Sequence, residues 1–165
     1  MSVTLFSPGA SPDVARDISV PRLSPHAARM LLLCIVVLAL AAGLVVTPQA
    51  TVATAVEAAG TDLTRLLRAM AAIKVLFAAG ATAAILWRFG GGVSAPWFVA
   101  YAVACCAMAA GPGLIWGVAH TGLGAALLHG GLFAAIVLLW RDPGVGARLS
   151  EMIAARRALL RTRGT

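Results

Sequence analysis

The chain has 165 residues, of which 61% are hydrophobic and 12% charged, and its formal net charge is +7. A soluble globular domain is nearer half apolar and a quarter charged, so the composition points instead to a small integral membrane protein of a single domain. Twelve of the 13 basic residues are arginines flanking uncharged apolar runs. That distribution fits membrane orientation and anionic headgroup contact, and it argues against nucleic acid as the partner.

Residues 1–29 are rich in Ser, Pro, Asp and Arg, are punctuated by Pro8, Pro12, Pro21 and Pro25, and read as a mobile tail. The first apolar run, 30–47, would span about 27 Å as a helix. Pro48 stops it. A cleaved secretory signal is the rival reading, with Ala53-Thr54-Ala55 as a small-residue cleavage site. The run is longer than a usual h-region of about 7–15 residues, which favours an uncleaved helix.

Ala and Val dominate from there to Ala59, and Gly60 marks a break. Thr61 is a good N-cap, with Asp62 in the first turn where the helix dipole favours a carboxylate. A helix starting there can run to Trp87, with a membrane span over 69–87 and its first two turns protruding. Gly90-Gly91-Gly92 reads as a flexible turn, and Pro96 starts a third span over 95–110. Gly111-Pro112-Gly113 is expected to break it, with a fourth span over 114–140.

This last stretch is the expected packing centre. The ladder Gly122, Ala126, Gly130, Ala134 presents small residues every fourth position, which lets another backbone approach. Beyond Arg141-Asp142-Pro143-Gly144, residues 146–163 form an amphipathic helix. Leu149, Met152, Ile153, Leu159 and Leu160 fall on one side, while Arg157 and Arg161 lie towards the other and Arg156 and Arg163 near the apolar stripe. Such a helix rests in the interface, where Arg148, Arg156, Arg157, Arg161 and Arg163 meet anionic headgroups. The fold class is therefore all-α: an integral membrane bundle of four transmembrane helices with a basic amphipathic C-terminal helix.

Orientation follows from the basic residues. Arg16, Arg22, Arg29, Arg88, Arg141, Arg148, Arg156, Arg157, Arg161 and Arg163 fall on one side; Arg65, Arg68 and Lys74, opposed by Glu57 and Asp62, fall on the other. Both termini are expected to face the cytoplasm from a multi-pass position in the inner (plasma) membrane. Trp87, Trp97 and Trp140 mark that interface and Trp116 the opposite one.

No Asp or Glu falls inside an expected span, which disfavours an ion-coupled transporter or permeability factor. It equally removes the parts of a carboxylate-dependent or metal-assisted hydrolase, so no catalytic residue and no metal site is expected. Cys34, Cys105 and Cys106 lie in apolar runs without metal-ligand spacing and read as buried thiols. The polar residues of interest are His129 near mid-span, His120 and Lys74. His129 has the chemistry to ligate haem or hold a quinone carbonyl; its ordinary use is a hydrogen bond across a helix interface. Nine residues separate His120 from it, about 13.5 Å and half a turn out of phase, so they cannot share one ligand within a helix. His120 belongs instead at the depth of Lys74, in a polar cluster open to the non-cytoplasmic side. The leading expectation is a non-catalytic accessory or assembly subunit, bound to other membrane subunits or to itself. A small haem- or quinone-binding redox protein is second.

Overall fold

The computed structural model describes residues 22–162. The tail up to residue 21 and Arg163 lie outside the described residues. Five helices follow in order: α1 (Pro25–Val45), α2 (Gln49–Arg88), α3 (Ala95–Trp116), α4 (Thr121–Arg141) and α5 (Pro143–Thr162). Two short strands, β1 (Arg22–Leu23) and β2 (Val93–Ser94), pair antiparallel with Leu23 opposite Val93. Helices α1 to α4 are long and apolar enough to cross a membrane, so the chain is an all-helical, multi-pass membrane protein in contact with the bilayer.

The distribution of side chains agrees. Leu38 and Phe133 are 68% and 70% exposed, whereas the interior is rich in alanine: Ala28, Ala71, Ala78, Ala104, Ala109 and Ala135 are buried. Lipid tails solvate large apolar groups as well as a core does, so association between spans relies on close packing of small residues.

α3 is the centre of the bundle, touching α1, α2 and α4. Most of its length is buried, unlike the other three spans. This corrects the expected centre at 111–140, which is not one helix. Gly111-Pro112-Gly113 does not end α3; the helix passes through it to Trp116, and the reversal falls at 117–120. The glycines there are contact points. Gly111 lies against Gly124 and Leu128 of α4, and Gly113 against Gly43 and Leu44 of α1. Packing on both sides holds a helix that proline would break in isolation. The reversal carries its own cost, since Val118 adopts φ 65°, unusual for a β-branched residue.

The other ends also shift. α1 begins at Pro25, inside the expected tail, because Ser24 caps it through its hydroxyl, 3.3 Å from the amide of Ala27. α2 starts at Gln49 and bends at Gly60, whose φ of 75° and ψ of 172° are open to glycine alone. The expected short helix, break at Gly60 and long helix are thus all present, following one another without a gap within α2. α5 begins at Pro143, three residues before the expected start.

Candidate functional site

Three polar features interrupt the apolar bundle. The first closes the end where α2 and α4 finish and α3 begins. Arg88 is the last residue of α2 and Asp142 caps the C-terminus of α4. The guanidinium grips the carboxylate through two bonds, Nε to Oδ2 at 2.7 Å and Nη2 to Oδ1 at 3.0 Å. Tyr101 donates its hydroxyl to Oδ2 at 3.1 Å, and the amide of Gly144 donates to Oδ1 at 2.8 Å. Arg88 and Asp142 are both buried, and Phe89 stacks edge-on to Tyr101 at 5.5 Å. A fully bonded carboxylate in a bidentate pair is a lock, with no lone pair directed at a ligand.

The same end binds α5. Arg148 donates through Nη1 to the carbonyl of Trp87 at 2.6 Å and lies 5.9 Å over its ring. A Cβ on Gly90 would collide with the Arg148 guanidinium. The glycine run expected as a flexible turn is therefore, at Gly90, a seat for an arginine. Of the expected headgroup residues, Arg148 is thus committed to this dock, whereas Arg156 and Arg157 are exposed. The backbone of Arg161 lies in α5, but its side chain lies outside the described residues, as does Arg163. Leu149, Met152, Ile153 and Leu160 are exposed together along α5.

The second feature is a groove of about 240 Å³ between α2 and α4, lined by Met70, Ile73, Lys74, Phe77, Leu128, His129 and Leu132. It brings Lys74 to His129, not to His120. His120 is exposed in the reversal before α4 and does not line the groove. His129 is exposed on the outer surface, where its Nδ1 donates to the carbonyl of Ala125 at 2.7 Å. In a neutral imidazole that bond leaves Nε2 as the acceptor. Lys74 is half-buried. Asp62, twelve positions earlier, is about 18 Å along the helix axis, so no acid of this chain's spans lies at the depth of Lys74.

Beside His129 the outer face of α4 carries the ladder. Gly122 and Gly130 have nothing within 4 Å of a placed Cβ, Ala126 is exposed and Ala134 half-buried. Gly122, Ala126 and Gly130 therefore do not hold the bundle together, whereas Ala134 packs against its core. Internal packing uses Gly124, Leu128, Gly131 and Ala135, rotated to the opposite side of α4. A Cβ on Gly131 would lie 2.7 Å from the carbonyl oxygen of Ala104.

The third feature is a lipid-facing groove between α1 and α2, floored by α3. Two adjoining cavities of about 280 and 530 Å³ share Leu40, Val75 and Pro112 in their walls. Arg29 of α1 donates to the carbonyl of Leu86 at 3.1 Å near the Arg88 end. At the other end Trp116 lines the groove, and the Arg68 guanidinium rests 5.6 Å over its ring.

Sequence reasoning missed the Arg88–Asp142–Tyr101 lock. The partners are 54 and 41 positions apart. The available signal was opposite charge at the C-terminal ends of two spans that cross in the same direction, together with the chain's only tyrosine. Cys105 is buried, Cys106 partly so and Cys34 exposed, and all three thiols are free. Among the described residues no cluster of three His, Cys, Asp or Glu could hold a metal ion. Fold and site together define a four-span membrane protein with a polar lock at one rim and polar groups on its lipid face. No family model matches the chain, and neither curated proteins nor solved structures resemble it significantly.

Proposed function

We propose that the protein is a non-catalytic accessory subunit of a larger inner-membrane complex, which it joins through the α4 ladder and the adjoining α2/α4 groove. The observation that carries this reading is the pair Lys74 and His129, both facing the lipid zone beside a smooth helix face. Lys74 lies six residues inside Arg68, about 9 Å along α2, and so bears part of the cost of about 2.5–3.5 kcal/mol that lysine carries at the centre of a span. The bare Nε2 of His129 adds an unmet acceptor. A partner span lying along Gly122, Ala126 and Gly130 brings a carboxylate to Lys74 and a donor to His129, offsetting both. The small residues let its backbone approach closely enough. The arginine distribution supports a cytoplasmic position for both termini. The part that α1 plays in the core, through Ala28 and Leu32, supports its retention as an uncleaved span.

Site-specific photocrosslinking in native membranes tests the reading. A photoreactive residue at Gly130 is expected to capture one discrete protein, while one at Leu38 on the outer face of α1 captures only lipid. Lys74→Leu is expected to abolish the Gly130 product without loss of the folded chain. A lone chain at both positions, or a product indifferent to Lys74, overturns the proposal. Capture of a second copy of this chain would identify the partner as itself.

The same groove favours one second reading, a quinone held by the Lys74 ammonium between Ile73 and Phe77. Organic extraction of the purified protein, with an absorption spectrum, separates the two readings. Stoichiometric quinone supports the second, and its absence removes it.

A further inference from the structure

We infer that the α1/α2 groove is a binding site for one anionic phospholipid, with its phosphate on Arg68 and its acyl chains along the groove. The site is separate from the α2/α4 groove and does not rest on the partner reading. Depth is the first argument. Arg68 and Arg88 are 20 residues apart on α2, about 30 Å at 1.5 Å per residue, which matches the hydrocarbon thickness of a bilayer. With Arg88 locked at one rim, Arg68 stands at the opposite headgroup level. Trp116 beneath it is the interfacial residue expected there.

Unmet hydrogen bonding is the second argument. Arg68 Nε is buried with no partner, and so is Oγ1 of Thr64, one turn earlier, whose residue is 5% exposed. A hydroxyl in a helix ordinarily bonds the carbonyl four residues back, here Gly60. The ψ of 172° at Gly60 rotates that carbonyl out of the helical line. Buried donors of this kind cost free energy until an acceptor arrives, and a phosphate offers several. No ion pair with Arg68 forms among the described residues.

Shape is the third argument. Below Arg68 the groove walls are Leu40, Leu44, Ala72 and Val75, and it continues past Ala79 to Leu33. Its floor is Ala109, Pro112 and Gly113. Small residues on the floor and larger ones on the walls leave a smooth apolar channel open to the bilayer, with Arg29 engaged by the Leu86 carbonyl at one end and Arg68 without an acceptor for its Nε at the other. A neutral apolar occupant makes no use of that end. A zwitterionic lipid brings its own cation beside Arg68.

Native mass spectrometry of the full chain tests this, after delipidation and exchange into mixed micelles of phosphatidylglycerol and phosphatidylcholine. One phosphatidylglycerol is expected to stay bound at activation energies that strip the rest, with preference of about tenfold over phosphatidylcholine. Arg68→Ala is expected to erase the preference and Arg68→Lys to keep part of it. Ala79→Trp, which fills the channel on an exposed position, is expected to lower retention of both lipids while Arg68 stays intact. Arg141→Ala, at the exposed far end of α4, is the control and leaves retention unchanged. Equal retention of the two lipids, an unchanged preference in Arg68→Ala, or a quinone or peptide mass in place of the lipid overturns the inference.

Discussion

Arg88 and Asp142 show how much a single pair can matter in a bundle held otherwise by small apolar contacts. Both side chains are almost wholly buried, and Asp142 also takes the Tyr101 hydroxyl and the Gly144 amide. Removing one partner strands the other as an uncompensated charge. Asp142→Ala is therefore expected to lower stability by about 3–5 kcal/mol, whereas replacing both partners with apolar residues of similar volume is far milder. Thermal unfolding in detergent, followed by loss of monodispersity, compares Asp142→Ala with the Arg88→Met/Asp142→Leu double variant. Equal loss in the two would mean that the ion pair is not what Asp142 contributes. Neither residue stood out in the sequence. Arg88 reads there as one of many flanking arginines, and Asp142 as part of a closing turn. What makes them a pair is that α4 returns parallel to α2, so that both helices finish at the same rim, which no local pattern encodes. Lys74 and His129 were legible as costly residues, because polarity inside an apolar run is visible at once. Their meeting was not, since it depends on the rotation of α2 against α4.

That rotation is where the reading of whole elements reached its limit. The existence and number of spans follow from apolar length, and the Gly60 bend follows from a glycine placed before a good cap. The inward face does not follow, because lipid and protein interior are equally apolar and hydropathy has no period to report. Two small-residue series run along α4, and only one can face α3. Gly122, Ala126 and Gly130 have the more regular spacing and lie outside; Gly124 and Gly131 lie inside, with Leu128 and Ala135. Gly131→Leu is expected to destabilise the bundle by about 1–3 kcal/mol or to prevent folding, through overpacking against α3. Gly130→Leu is expected to leave unfolding within about 0.5 kcal/mol of the parent, as a surface change does. The same detergent unfolding assay decides this, and comparable loss at both positions would place the ladder inside the fold. Pro112 carries a related lesson. A Gly-Pro-Gly triplet is a strong turn signal in an isolated chain, yet α1 on one side and α4 on the other both close onto it. The helix survives because its contacts lie on that segment.

At the scale of the whole molecule the two ends differ in kind. The end with Arg88 is tied down by the Asp142 lock, the β1–β2 pair and the Arg148 dock of α5. The other end has Glu57 and Asp62 beside Arg65 and Arg68, a kink at Gly60 and a strained reversal at Val118. The basic residues near span ends gather at the first end, and translocation is costlier for the side carrying more Lys and Arg. The tied end should therefore be cytoplasmic. Single cysteines at exposed positions on a cysteine-free background test this with a membrane-impermeant maleimide. Glu57→Cys is expected to label in intact cells, and Ser150→Cys only after the membrane is permeabilised. The three native cysteines can be replaced by alanine, although Cys105 is buried and its loss should be checked first by unfolding. The reverse labelling pattern would put Arg68 and its groove in the cytoplasmic leaflet. Labelling of both sites from one side would contradict the odd number of spans between them, since α2, α3 and α4 make three crossings from Glu57 to Ser150 and require opposite sides.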